Sequence, residues 1–142
     1  MTGKEFVRQP FIIAQKIGVI EKQIESHMEA AQNITSTLSD DVVAHSRNVH
    51  SMEDKIVNIV SLEETLTALN ESYKRAVIAL CDVIDSIYPE DDIHNLILKN
   101  RHLRFNSWDY IAALANFTTR RLIQMECEAV IAIDRYIDTA NG

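Results

Sequence analysis

Asp91 and His94 stand three residues apart, a spacing that sets two ligating side chains on one face of a helix. A carboxylate metal site inside a helical bundle needs a second pair of this kind, and the chain has no other Glu/Asp-x-x-His. Solvation and helix capping account for both residues. His45 and His50 share a polar stretch with no cysteine beside them, which makes a poor zinc site. Glycine occurs only at Gly3, Gly18 and Gly142, so no phosphate-cradling glycine loop is available, and neither HExxH nor GxSxG occurs. Catalysis, a metal and a cofactor are not expected.

The stretch "FNSWDYIAALANFTTRRLIQM", Phe105 to Met125, points to other chemistry: it looks like a DNA-reading element. The chain as a whole opposes that, with 21 acids against 14 bases and a net charge of −7. The distribution of charge removes the conflict. Between Ile93 and Met125 five bases (Lys99, Arg101, Arg104, Arg120, Arg121) meet one acid, Asp109, so the acidity belongs mainly to the rest of the chain. Exposed charges are screened within about 8 Å at physiological ionic strength, and the local sign decides what a surface attracts.

The elements that position this stretch follow from composition and periodicity. Three glycines, two prolines and 46% hydrophobic residues favour helix over sheet, and an all-α protein is expected. No apolar run is long enough to span a membrane, and the start of the chain lacks the apolar core of a signal peptide. Cys81 and Cys127 have no partner spacing and suit free thiols in the cytoplasm. The Asn-x-Ser/Thr triplets at Asn33, Asn70 and Asn116 fall in helical patterns or a tight turn and read as chance matches.

Apolar or small residues recur at steps of four and three from Ile13 through Ile17, Ile20, Ile24, His27, Ala31 and Ile34 to Leu38. Pro10 suits a first turn, so this helix is expected from about Pro10 to Leu38, ending in "TSTLSDD". Ser51-x-x-Asp54 resembles a capping box opening a second helix, whose seam runs Met52, Ile56, Ile59, Glu63, Leu66, Asn70, Tyr73, Val77, Leu80, Ile84, Ile87. Two such helices joined by a polar connector are expected to form a long antiparallel, coiled-coil-like hairpin over residues 1–88. Its polar seam members His27, Glu63 and Asn70 either fix register, face a partner subunit, or lie at the wet edge. Unequal helix lengths leave part of the second uncovered, which suits a homodimer.

Residues 89–142 form the expected second domain. "DDIHNLILKNRHLRF" places acids at a helix start and bases at its end, as the macrodipole favours. In the stretch that follows, Ser107 caps a helix, Ile111 and Ala112 supply an apolar and a small residue for close crossing, and Leu114 and Ala115 end it. Asn116 suits a left-handed turn, Phe117 plugs it, Thr118 or Thr119 caps the next helix, and Leu122 and Met125 turn inward. These positions match a helix-turn-helix.

Arg101-His102, Ser107-Trp108-Asp109-Tyr110-Ile111-Ala112, Asn116-Phe117-Thr118 and Arg120 together resemble the carboxyl-terminal domain of small phage and prophage proteins of Gram-positive bacteria. Those proteins include late transcription regulators of the ArpU and RinA kind and have a fold similar to sigma factor region 4. The helical lead-in, Asn33 to Glu63, is similar to theirs more loosely. The resemblance implies that Thr118, Thr119, Arg120, Arg121 and Gln124 face the major groove of double-stranded DNA, while Lys99, Arg101 and Arg104 hold phosphates. It also implies a bacterial host cytoplasm, with RNA polymerase as a further partner. Gln124 and Glu126 stand where such proteins often carry bases, which implies a shallower salt dependence. The alternative is an acidic helical protein-binding module, an inhibitor or antirepressor, that keeps the helix-turn-helix as scaffold.

Overall fold

The structure, a computed structural model, describes residues 1–37 and 45–141 and their side chains except those of 34–37 and 45–50. The described residues form five helices: α1 (Gly3–Thr37), α2 (His45–Ile87), α3 (Ile93–His102), α4 (Trp108–Ala115) and α5 (Thr119–Asn141). No strand occurs among them, in agreement with an all-α fold, and no described helix is long and apolar enough to cross a membrane. Two compact units result: Met1–Ile13 with Tyr73–Gly142, and Ala14–Ser72.

In the first unit α1 begins earlier than the sequence pattern suggests. Thr2 and Glu5 form a capping box: the Thr2 hydroxyl accepts from the Glu5 N–H at 3.2 Å, and the Glu5 carboxylate accepts from the Thr2 N–H at 3.0 Å. The helix therefore starts at Gly3, and Pro10 lies inside it rather than in its first turn. An interior proline costs an isolated helix about 3 kcal/mol. Here the complete burial of Val7 and Pro10 offsets that cost.

Gly3 shows why that turn must be where it is. Its N–H donates to Asp134 Oδ1 at 2.7 Å, and a Cβ at this position would lie 2.7 Å from the Val130 carbonyl oxygen and 2.8 Å from the Asp134 nitrogen. Backbone meets backbone here, and only glycine allows it. The same helices build the first core, in which Val7, Leu80, Ile84, Leu98, Ala129 and Ile133 are buried. A second core, Ile97, Ile111, Leu122 and Met125, is formed by α3, α4 and α5. Each large buried side chain contributes roughly 1.5 to 3 kcal/mol. The first core draws on residues from both sides of Pro89.

In the second unit α1 keeps the expected stripe half-buried at Ile17, Ile20, Ile24, His27 and Ala31; the side chain of Ile34, and Leu38 altogether, lie outside the described residues. On α2 the stripe differs from expectation. Ile56, Glu63 and Asn70 are exposed, and the less exposed positions run Met52, Lys55, Ile59, Leu62, Leu66, Leu69. Both sets share the column Met52, Ile59, Leu66. The neighbouring column with Leu62 and Leu69 turns inward because the alternative would desolvate a carboxylate and an amide. Glu63 and Asn70 thus lie outside the seam. Ser51 does not open α2 either: the helix already runs from His45, since extending a formed helix adds one bond per residue whereas starting one is costly.

Gly3→Ala should lower stability by about 1 to 3 kcal/mol through forced backbone displacement. Gly18→Ala, where a Cβ meets nothing within 4 Å, should raise it by up to about 1 kcal/mol. Denaturant titrations of the two variants check both signs.

Candidate nucleic-acid interface

α3 starts on Asp92, whose Oδ1 accepts from the His94 N–H at 2.7 Å, and Lys99, Arg101 and His102 fall in its last turn. Both ends complement the helix dipole. Two buried asparagines, which the sequence reading passed over, fix its surroundings. Asn95 Nδ2 donates to Asp85 Oδ1 and to the Tyr88 carbonyl, each at 2.9 Å. Asn100 Nδ2 donates to the Leu96 carbonyl at 2.8 Å, its Oδ1 accepts from Asn106 Nδ2 at 3.0 Å, and its carbonyl accepts from the Asn106 N–H at 2.9 Å. Those bonds latch the turn into α4, and Phe105 within that turn has a left-handed φ of 57°.

Ser107 caps α4 by accepting from the Tyr110 N–H at 3.2 Å. The helix ends at Asn116, left-handed at φ 59°, whose N–H donates to the Ala112 carbonyl; the Phe117 N–H reaches the same oxygen at 3.2 Å. Thr118 caps α5, its hydroxyl accepting from the Arg121 N–H at 3.2 Å, and Leu122 and Met125 are buried. α3, α4 and α5 pack pairwise on one another. Phe117 does not plug the turn: it is 40% exposed.

The candidate DNA-facing residues divide into two groups. Thr118, Arg120, Arg121 and Gln124 are exposed around the start of α5, with Thr119 half-buried. Arg121 has one loose ion pair, to Glu128 at 4.0 Å. Two cations in a first turn that carries no acid oppose the macrodipole, at a cost of about 0.3 to 1 kcal/mol each. The candidate phosphate ligands are committed differently. Lys99, with a side chain only 18% exposed, donates to Asp85 Oδ1 at 2.8 Å. Arg101 donates to the Asn106 carbonyl at 3.1 Å and lies 4.7 Å above the Trp108 ring centre. Of the three, only Arg104 is exposed.

Both histidines of this region are paired. His94 contacts Asp92 at 2.9 Å and stacks on Tyr88, and His102 contacts Glu126 at 2.9 Å. Among the described residues no group of three His, Cys, Asp or Glu could hold a metal ion. Hydrogen bonds from Lys99 and then Asn95 hold the Asp85 carboxyl below the usual carboxylate range, and bonds from the backbone and then the ring of His94 do so for Asp92. Burial pushes the Cys81 thiol up, away from thiolate reactivity.

No protein-family model matches the chain, and neither a curated protein nor a solved structure matches it.

Two predictions concern this region. Asn116→Ala should cost about 1 kcal/mol and Asn116→Gly much less, because only the former strains the left-handed cap; thermal melts compare them. Carboxyls with depressed folded pKa values contribute stability that is present above the unfolded value near 4 and lost as pH falls through the folded one. The denaturation midpoint should therefore drop below about pH 4, and Asp85→Asn/Asp92→Asn should flatten that drop.

Proposed function

We propose that the chain is a transcription regulator of the phage type that binds promoter or operator DNA through a helix-turn-helix made by α4, the Asn116 turn and α5. The observation that carries this reading is the pair of exposed arginines, Arg120 and Arg121, in the first turn of α5. Their position weakens the helix, and residues that break a local stability rule without a structural gain are expected where function requires them. A polyanion lying across that helix start would meet both guanidiniums and turn an unfavourable site into a favourable one.

In this reading Arg120, Arg121 and Gln124 read base edges, arginine suiting guanine and glutamine suiting adenine, while Thr118 and Thr119 lie beside them. Lys99 and Arg101 serve the fold, leaving Arg104 to hold the phosphate backbone. With so few free cations, selective affinity depends on a second reading head or on RNA polymerase. The paired long helices of residues 1–88, forming a hairpin and a homodimer, supply the first, in the cytoplasm of a bacterial host. A sigma region 4-like fold and kinship with the ArpU and RinA regulators belong to the same proposal.

A second reading has its own support. Tyr110, Leu114, Phe117 and Ile123 are all exposed around the same helices, more apolar surface than a DNA-reading head needs. An acidic chain displaying these side chains suits a protein partner, as an inhibitor or antirepressor would.

Mobility-shift titration against tiled fragments of the encoding phage or prophage genome at two salt concentrations separates the readings. The regulator selects one intergenic fragment, and Arg120→Ala/Arg121→Ala weakens that selection by about 1 to 3 kcal/mol per lost base contact. The same double variant should be more stable than the parent, by a few tenths to about 2 kcal/mol, because the dipole conflict is gone. Loss of binding with gain of stability rules out simple unfolding. If no fragment is selected even with polymerase present, and Leu114→Ser/Phe117→Ser abolishes capture of a protein partner, the second reading replaces the first.

A further inference from the structure

A groove of about 430 Å³ opens between the first turns of α1, the end of α3 and α5, within the unit that holds both cores. Three cations line it: Lys4, Arg8 and Arg101. The one acid in the lining, Glu126, is taken by His102 at 2.9 Å. In a chain with so many more acids than bases, a wall with this excess of positive charge is a local exception.

Lys4 and Arg8 stand one helical turn apart, where like charges repel. Both are exposed and neither forms an ion pair with another described residue. Arg101 spends one N–H on the Asn106 carbonyl, and a guanidinium has five. The groove also has an aromatic and apolar side. The Phe11 and Phe105 rings meet edge to face at 5.5 Å between centres and both remain exposed, and Val7 and Val130 add to the lining. Phe105 presents its ring from a left-handed backbone, a conformation that strains an aromatic residue and that clusters at ligand sites.

We propose that this groove is a binding site for a small phosphomonoester carried on an aromatic ring system, the class to which nucleoside monophosphates belong. A phosphate dianion matches a set of cations that exceeds what one carboxylate can use, and it accepts charge-assisted hydrogen bonds from Lys4, Arg8 and the free edge of Arg101. The ring packs against Phe11 and Phe105, where edge-to-face and offset contacts are both open. The volume falls within the usual range for small-molecule sites. Occupancy reaches further than the groove, because Arg101 also lies over Trp108 and holds the Asn106 carbonyl at the entrance to α4. A ligand on Arg101 is thus an effector acting on the turn before α4, and the site does not depend on the DNA reading.

Trp108 is the only tryptophan in the chain, so its fluorescence reports on Arg101 directly. The full chain is titrated separately with phenyl phosphate, adenosine 5′-monophosphate, inorganic phosphate and phenylacetate, in parallel with calorimetry. Phenyl phosphate and adenosine 5′-monophosphate are expected to saturate and to bind at least about tenfold tighter than the other two. Lys4→Ala/Arg8→Ala, at exposed positions that leave helicity unchanged, should weaken them by about tenfold or more. Phe105→Gly should relieve the backbone and keep the protein folded while lowering the affinity for both aromatic phosphates. The proposal is overturned if none of the four probes saturates at millimolar concentration. It is equally overturned if inorganic phosphate or phenylacetate binds as tightly as phenyl phosphate, or if the double variant binds like the parent.

Discussion

Almost everything in the unit formed by Met1–Ile13 and Tyr73–Gly142 depends on one buried stripe of α5. Leu122, Met125, Ala129 and Ile133 follow one another at helical steps and are covered along their whole length. The first two close the core shared with α3 and α4, the last two the core shared with α1, α2 and α3. Because a single rigid helix joins the two cores, the start of α5 is fixed in space by contacts made several turns away. Gly3 lets the first turn of α1 approach the α5 backbone at Val130 and Asp134. Shape, more than any polar pair, sets this geometry.

The cations of this unit divide according to that geometry. Those on α3 lie over its packed partners and are drawn inward: Lys99 to the carboxylate of Asp85, Arg101 to a carbonyl and an indole face. Those at the start of α5 have no such neighbours, since the turn at Asn116 is tight and the next acid on the helix face is Glu128. Lys4 and Arg8 face a groove whose acid is already occupied. An acidic protein thereby keeps two places where positive charge stays available to an anion. A pair of charges costs little to expose and much to bury unpaired, so this division follows from packing.

Arg101 connects the groove to α4. It belongs to the wall of the groove and to the cation–π contact that seats Trp108 at the first turn of α4. The Asn100 and Asn106 bonds hold the intervening turn in one conformation, with Phe105 kept left-handed inside it. A strained residue held between two hydrogen-bonded anchors is a natural element for coupling, since release of the strain and a shift of Trp108 involve the same few bonds.

Local chemistry was legible in the sequence wherever the determining partner lies within about four residues. Ser107 and Thr118 as caps, Asn116 in the left-handed region and the dipole match of α3 all rest on such neighbours. Short-range rules misled where a distant contact outweighed them. Pro10 tolerates a helix interior because it is buried; α2 turns Leu62 and Leu69 inward in place of Glu63 and Asn70; and Phe117 stays exposed beside the turn. Only the tertiary structure decided which bases are free. Lys99 meets an acid fourteen residues away and Gly3 an aspartate at the other end of the chain, and spacing along a sequence carries no trace of either encounter. The sequence determined that helices form and how they end; the meeting of their faces decided which side chains remain for a partner, because burial and pairing energies depend on neighbours that only folding supplies.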